Sequence, residues 1–167
     1  MDHHSRVKEE FARQAETLSA APVFTEQALL ERIQATTAPT ETMRILDLGC
    51  GPGIVTAALA PMAAEVVAFD LTPDMLQKAR ERCAHAGIEN VRFLLGTAEK
   101  LPFEEAEFDA VVSRLTVHHF VMPETAISEM ARVTKHKGRV VIADIVSSED
   151  NDEAALHNAL EVLRDPS

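Results

Sequence analysis

The 167-residue sequence contains no tryptophan, no tyrosine and only two cysteines. Any aromatic enclosure of a substrate must therefore come from its seven phenylalanines. Two cysteines cannot build the disulfide framework of a small secreted domain. Neither Cys50 nor Cys83 has a cysteine or histidine neighbour at metal-ligand spacing. We interpret both as free thiols with packing roles, and we expect no metal site.

Positive charge and long apolar runs are also scarce. Sixteen Lys and Arg stand against 27 Asp and Glu, a net charge of −11. A nucleic-acid binder normally carries a basic face, so we expect no nucleic-acid partner. No apolar run approaches the roughly 20 residues that span a bilayer, and the first residues lack the apolar region of a secretory signal. These features predict a soluble, cytoplasmic protein without a membrane partner.

The order of elements predicts an α/β fold preceded by helices. Residues 1–40 are expected to form a helical cap, with helices over residues 6–18 and from Thr25 onward. Short Val- and Ile-rich strands then alternate with helices, which is typical of a parallel sheet with right-handed crossovers. The predicted strands are residues 43–48, 65–70, 90–95, 108–113 and 138–146. The predicted helices run to about residue 64, from Pro73 (capped by Thr72) to Gly87, from Pro123, and over residues 152–164.

Three glycines in five residues, GCGPG at 49–53, follow the first predicted strand. A doubly wound sheet binds its ligand at this edge, and glycine lets a ligand approach the backbone. The nicotinamide fingerprint needs its third glycine one place later, where Ile54 stands. That fingerprint also does not require an acid inside the strand such as Asp47. An NAD-dependent oxidoreductase is therefore a remote alternative.

Four segments resemble, in order, the motifs of class I S-adenosylmethionine-dependent methyltransferases. They are ILDLGCGPG (45–53), VVAFD (66–70), GTAEKLPF (96–103) and FDAVVSR (108–114) followed by HHF (118–120). The chain resembles small-molecule enzymes of the ubiquinone/menaquinone-biosynthesis type (methyltransferase type 11) from about Phe11 to its end. The resemblance implies a Rossmann-like sheet of order 3-2-1-4-5, S-adenosylmethionine as cofactor, and in-line methyl transfer to a small molecule.

The resemblance also implies a cofactor site. Asp70 would accept both ribose hydroxyls, Leu71 would pack on the adenine, and Asp47 would contact the methionine end. From the residues alone, Asp47 could equally have a purely structural role in the turn. Leu71 could equally be a core residue. The main-chain carbonyl groups around Ser113 and Arg114 would accept a hydrogen bond from the cofactor's amino group. The implied set is Asp47, Gly49, Cys50, Gly51, Gly53, Asp70, Leu71, Thr97, Ala98, Glu99, Ser113 and Arg114.

Two positions depart from the family pattern. Many relatives have aspartate where this chain has Thr97, whose hydroxyl is a weaker acceptor for the adenine amino group. The backbone of Ala98 can still hold the ring. The turn before the fifth strand usually reads KPGG, and here residues 135–138 read KHKG. We expect that turn to lie away from the site and to affect stability only.

Methyl transfer from a sulfonium has a good leaving group, so positioning and desolvation supply much of the catalysis. A base is needed only if the acceptor must lose a proton. His118 and His119, just past the fourth strand, are the candidates. One of them, His119 in the first instance, is expected to face the site while the other packs or meets solvent. A structural role for both stays open, and Arg114 either binds an anionic substrate or pairs with a nearby acid.

The last expectation concerns the segment that follows the fifth predicted strand. Relatives continue past the fifth strand with a helix and two further strands. This sequence has the predicted helix at 152–164 but is expected to lack the two strands. The apolar fifth strand would then form a sheet edge, which invites pairing with another chain. We expect a homodimer through that strand, or coverage by the final helix. A cofactor-binding module that is inactive by itself is the alternative function.

Overall fold

The computed structural model describes residues 27–145, which form a five-stranded sheet with helices on both faces. The strands are β1 (Arg44–Leu48), β2 (Glu65–Asp70), β3 (Val91–Leu95), β4 (Phe108–Arg114) and β5 (Thr134–Ala143). The α-helices are α1 (Gln27–Thr37), α2 (Ile54–Leu59), α3 (Pro73–His85) and α4 (Pro123–Val133), with 3-10 turns at Ala60–Met62 and Val117–His119. The predicted first helix, the helix start at Thr25, and the final helix at 152–164 lie outside the described residues.

All strand pairs are parallel, and the spatial order is β3-β2-β1-β4-β5. This confirms the predicted fold class and strand order. Ile45 of β1 stands opposite Val66 on one side and Ala110 on the other. The order therefore reverses between β1 and β4, where such sheets bind ligands. The division into domains at residue 40 stays a prediction.

The central strands β1, β2 and β4 are buried on both faces, which explains why they read as apolar runs. One core cluster lies on the side of α4 and includes Leu46, Leu48, Phe69 and Phe108. A second cluster, on the side of α1 and α2, includes Ile45. Each fully buried side chain of this size stabilises the fold by about 2 kcal/mol. None of the helices within residues 27–145 has the length and apolarity needed to cross a bilayer.

The predicted limits of the fifth strand and of the turn before it are wrong. The strand begins at Thr134, and the KHKG segment lies inside it as a bulge. Pairing shifts there from Phe108 opposite Thr134 to Ala110 opposite Arg139. Lys137 has a φ of +69°, and a Cβ on Gly138 would lie 2.8 Å from the Asp109 carbonyl oxygen. A bulge accommodates the surplus residues while both flanks stay paired.

Two helix details also differ from expectation. Thr72 precedes α3, but within the described residues its side chain makes no capping hydrogen bond. The helix predicted to reach residue 64 ends at Leu59 and continues as a 3-10 turn, which contains Pro61. Proline lacks the N–H that α-helical bonding requires. The stop at Gly87 is as predicted, with a left-handed φ of +66°.

Candidate functional site

A cleft opens at the carboxyl ends of β1, β2, β3 and β4. It encloses about 770 Å³ of empty space, its open mouth included. Its lining residues are Leu48, Gly49, Gly51, Pro52, Phe69, Asp70, Leu71, Thr72, Met75, Gly96, Thr97, Ala98, Glu99, Leu115, Thr116, His119 and Phe120. The cleft thus lies where a doubly wound sheet binds its ligands.

The three glycines of the first turn have different surroundings. A Cβ on Gly49 would come within 2.3 Å of the Thr116 side chain, and one on Gly53 within 2.7 Å of the Ala79 Cβ. A Cβ on Gly51 would meet no atom of the described residues within 4 Å. Gly49 and Gly51 line the cleft, whereas Gly53 does not. Gly49 and Gly53 therefore allow close packing, and Gly51 leaves open space beside the backbone.

The Asp70 carboxylate lies at the end of β2 and lines the cleft. Its Oδ2 accepts the N–H of Gly51 at 2.8 Å, and its Oδ1 accepts the N–H of Thr72 at 2.8 Å. Burial raises the pKa of Asp70, although these hydrogen bonds work in the opposite direction. A carboxylate has about four acceptor positions, so each oxygen can accept a further hydrogen bond. Leu71 follows directly in the lining.

Asp47 is buried beneath the cleft and is not among its lining residues. Its Oδ2 accepts the Thr56 hydroxyl at 2.5 Å, which ties β1 to α2. Burial raises the pKa of Asp47 to about 7, while the Thr56 hydrogen bond works to lower it. The nearby Asp70 charge adds to the rise. The contact with Thr56 gives Asp47 a structural role between β1 and α2, and its role toward the cofactor stays a prediction.

Both cysteines are free and buried. Cys50 is outside the lining set and packs with Ala68 and Leu76. Cys83 is buried on α3. In residues 27–145, no three His, Cys, Asp or Glu side chains gather closely enough to hold a metal ion.

The loop after β3 forms a second wall of the cleft, with Thr97, Ala98 and Glu99 all in the lining. A Cβ on the preceding Gly96 would lie 2.4 Å from the Phe69 ring. The Glu99 Oε1 accepts the N–H of Val121 at 3.0 Å. This carboxylate therefore joins the β3 loop to the segment that leads into α4.

The last two residues of β4 lie behind the cleft wall. Ser113 and Arg114 are buried and are outside the lining set. Among the described residues, the Ser113 hydroxyl has no hydrogen-bond partner. The Arg114 charge works to lower the pKa of Asp47. The cleft wall itself begins one residue later, at Leu115 and Thr116.

The two histidines have separate environments. His119 lines the cleft, whereas the His118 Nδ1 lies 2.6 Å from the Asp144 Oδ1. Their ring centroids are 3.9 Å apart, with a tilt of 50°. One histidine thus faces the site and the other packs elsewhere, which is the division expected from the sequence. The catalytic role of either stays a prediction.

Sequence reasoning missed several residues of this region. Thr56, which holds Asp47, and Thr116, which packs closely against Gly49, carried no recognisable signal. Asp144 did have a recognisable signal in the sequence, because it is an acid that directly follows β5, just as Asp70 is an acid that ends β2. Burial works to raise the pKa of Asp144, but hydrogen bonds from His118 and from the Ile145 N–H outweigh it and hold the pKa low.

Comparison with known proteins identifies the family. Residues 39–164 match the model of a methyltransferase domain. The chain belongs to the class I S-adenosylmethionine-dependent methyltransferases. The chain is 37% identical over 157 residues to the uncharacterized methyltransferase YcgJ of Bacillus subtilis, and the match covers 94% of this chain and 62% of that protein. It is 41% identical over 107 residues to demethylmenaquinone methyltransferase of Clavibacter sepedonicus, covering 64% of the chain and 43% of that enzyme.

Solved structures agree with the fold. The crystal structure of YcgJ superposes with a TM-score of 0.77 over 82% of the chain and 58% of that protein, at 37% identity. The crystal structure of a putative methyltransferase from Bacillus halodurans superposes with a TM-score of 0.77 at 34% identity, over 81% of the chain and 59% of that protein. The chain thus spans about two fifths to three fifths of the length of these relatives.

Proposed function

We propose that this chain binds S-adenosylmethionine in the cleft and transfers its methyl group to a small-molecule acceptor. The observation that carries the proposal is the meeting of Gly51, Asp70 and the Thr97–Ala98–Glu99 loop around one cleft. Together with family membership, this arrangement favours the cofactor that the motifs imply. The acceptor and the in-line course of the reaction are parts of the proposal.

The residues of the cleft fit that cofactor. Asp70 would take the ribose hydroxyls, because its oxygens retain acceptor capacity beyond the Gly51 and Thr72 N–H groups. Leu71, Thr97 and the Ala98 backbone would hold the adenine. Because a Cβ on Gly51 would meet open space, the amino-acid end of the cofactor would be able to approach the backbone there. When bound, the cofactor supplies an electrophilic methyl group on a sulfonium.

The chain's own contribution is orientation and the exclusion of water. Leu48, Phe69 and Phe120 give the cleft apolar walls, and a dry cavity strengthens the polar contacts inside it. His119 is the lining residue suited to accept a proton at neutral pH, where the acceptor must lose one.

A small molecule is the acceptor class that the chain's chemistry favours. The net charge of −11 without a basic cluster argues against nucleic acid. The Clavibacter relative is named for a demethylmenaquinone, so quinone-like phenols are a reasonable first class for a screen. A cytoplasmic location is part of the same proposal and rests on composition.

Calorimetry with S-adenosylmethionine, S-adenosylhomocysteine and NAD tests the cofactor assignment. We expect the first two to bind and NAD to leave no heat signal. Release of S-adenosylhomocysteine in a screen of small acceptors then tests turnover. Binding without turnover on any acceptor would support the alternative of a cofactor-binding module, and binding of NAD alone would refute the proposal.

A further inference from the structure

One carboxylate beyond the cleft holds the loop after β4, which supplies the lining residues Leu115, Thr116, His119 and Phe120. Asp144 directly follows β5, and its Oδ2 accepts the N–H groups of Val117 at 2.9 Å and His118 at 3.3 Å. Its Oδ1 lies 2.6 Å from the His118 Nδ1 and 2.8 Å from the Ile145 N–H. The Asp144 side chain is only 14% exposed. Its two oxygens therefore meet three donors from one short turn.

That turn needs an outside acceptor. Leu115 precedes it with a φ of +53°, a left-handed conformation that costs a residue with a Cβ free energy. The first N–H groups of a helical turn have no partner within the turn. Within the described residues, the Thr116 side chain makes no capping bond to them. Asp144 supplies the acceptor from the neighbouring strand, so the loop conformation depends on β5.

The far end of the same loop is held by Glu99, which accepts the N–H groups of Val121 at 3.0 Å and Met122 at 3.5 Å. The loop that the two carboxylates hold contributes four lining residues to the cleft, Leu115, Thr116, His119 and Phe120. Glu99 lines the cleft itself, whereas Asp144 lies outside it. Asp144 therefore affects the cleft only through the loop.

We propose that Asp144 is a positioning residue that fixes the Val117–His119 turn and the His118 ring, and thereby orients His119 toward the cleft. A carboxylate only accepts hydrogen bonds, so the Nδ1 of His118 carries a proton where it meets Asp144. The His118 ring in turn lies against the His119 ring, with 3.9 Å between their centroids, and restricts its rotation. The role of His119 toward a ligand rests on the proposed function; the hold on His118 does not.

The test uses the full 167-residue chain with ¹⁵N-labelled histidine, read by proton–nitrogen correlation of the ring nitrogens. Wild type should show His118 as the Nδ1–H tautomer, and S-adenosylhomocysteine should shift the His119 ring signals. Asp144→Asn keeps the size of the side chain but replaces one acceptor oxygen with a donor. It should abolish the fixed tautomer of His118 and reduce the ligand-induced shift at His119 to less than half.

Asp109→Asn is the matched control. Asp109 also accepts a backbone N–H, from Arg44, and a side-chain donor, Lys135, but it lies at the start of β4, away from the cleft. This variant should leave both histidine signals as in wild type. If Asp144→Asn fails to fold, Asp144→Glu retains the acid while moving its oxygens by one methylene, and it should also weaken the Nδ1–H signature.

The outcomes separate the two proposals. Wild type that binds no S-adenosylhomocysteine refutes the proposed function, yet the tautomer in ligand-free protein still decides the hold of Asp144 on His118. A folded Asp144 variant with the wild-type His118 tautomer overturns that hold. If wild type binds the ligand and the variant's His119 response is unchanged, the positioning of His119 is overturned.

Discussion

Replacing Asp47 with asparagine is expected to change how the stability of this chain depends on pH. The substitution keeps the shape of the side chain and an oxygen that can still accept the Thr56 hydroxyl. It removes the only proton-binding group at that position. Because the site is buried below the cleft, the change should show in unfolding experiments without any ligand.

The sign follows from the raised pKa. Burial moves the pKa of Asp47 from 3.8 to about 7 in the folded chain, with the Asp70 charge adding to the rise. The folded state therefore binds more protons than the unfolded state between these values. The contribution of Asp47 to stability is fully present below the unfolded pKa and is lost as pH rises through the folded one. The Asp47→Asn variant would have no such loss, because its amide does not titrate in this range.

The size follows from linkage. Between about pH 5 and pH 8, a shift of this size changes the free energy of unfolding by roughly 2 to 3 kcal/mol. Asp47→Asn should gain roughly that much stability relative to wild type over the interval. Urea unfolding of both proteins at the two pH values, followed by circular dichroism, measures the difference.

Asp109→Asn provides the control. Burial works to raise the pKa of Asp109, but hydrogen bonds from the Arg44 N–H and Lys135 outweigh it and hold the pKa low. Asp109 is therefore ionised in both states throughout the interval, and its variant should differ from wild type by a constant amount. If the difference for Asp47→Asn also stays constant within roughly 0.5 kcal/mol, Asp47 is not neutralised by burial and the reasoning is refuted.

Four further changes test the site and the sheet edge. Asp70→Ala should weaken S-adenosylmethionine binding by about 1.5–3 kcal/mol by calorimetry, with exposed Asp74→Ala as the control; unchanged affinity would falsify the ribose assignment. Gly53→Ala should lower the free energy of unfolding by about 2–4 kcal/mol, because of its positive φ and its contact with Ala79. Gly51→Ala should lower it by only about 1 kcal/mol and should mainly weaken cofactor binding. His119→Ala should lower turnover with cofactor affinity within a few-fold; full turnover in both the His118 and the His119 variants would make the pair structural. Light scattering should detect self-association that Ile142→Glu on β5 reduces more than Leu95→Glu on β3; a strictly monomeric chain contradicts the dimer prediction.

The sequence could predict the fold because the central strands are buried on both faces. The run at 66–69 is apolar and stands between two acids, and the structure gives β2 the predicted limits, Glu65–Asp70. The limits of the fifth strand do not follow from its sequence, because its first half is polar, KHKG, and resembles a turn. What makes this segment a strand is pairing with β4 on either side of a bulge, which is a tertiary effect that local composition does not reveal.

Within the candidate site, the two-residue period of a strand decides which residues reach the cleft. Leu46 and Leu48 point to the α4 side, so Asp47 between them points to the opposite side, where it meets Thr56 of α2. Motif resemblance treats Asp47 as a cofactor contact, whereas strand alternation places its side chain with the second core cluster. The turn residues after each strand have no such restriction, and Gly49, Leu71 and Thr97 all reach the cleft.

Three acids lie at the same edge of the sheet, and their different environments show what a sequence pattern leaves undecided. Asp47 accepts a hydrogen bond from one hydroxyl, and its pKa is raised. Asp70 accepts hydrogen bonds from two backbone N–H groups, and its pKa is also raised. Asp144 meets a histidine ring and three N–H groups, which outweigh its burial. Its partners Val117 and His118 are 27 and 26 residues away in the chain, so only the folded loop brings these donors to it. The position of an acid in a motif thus predicts the edge it occupies, while the donors carried by neighbouring loops determine its charge and its role.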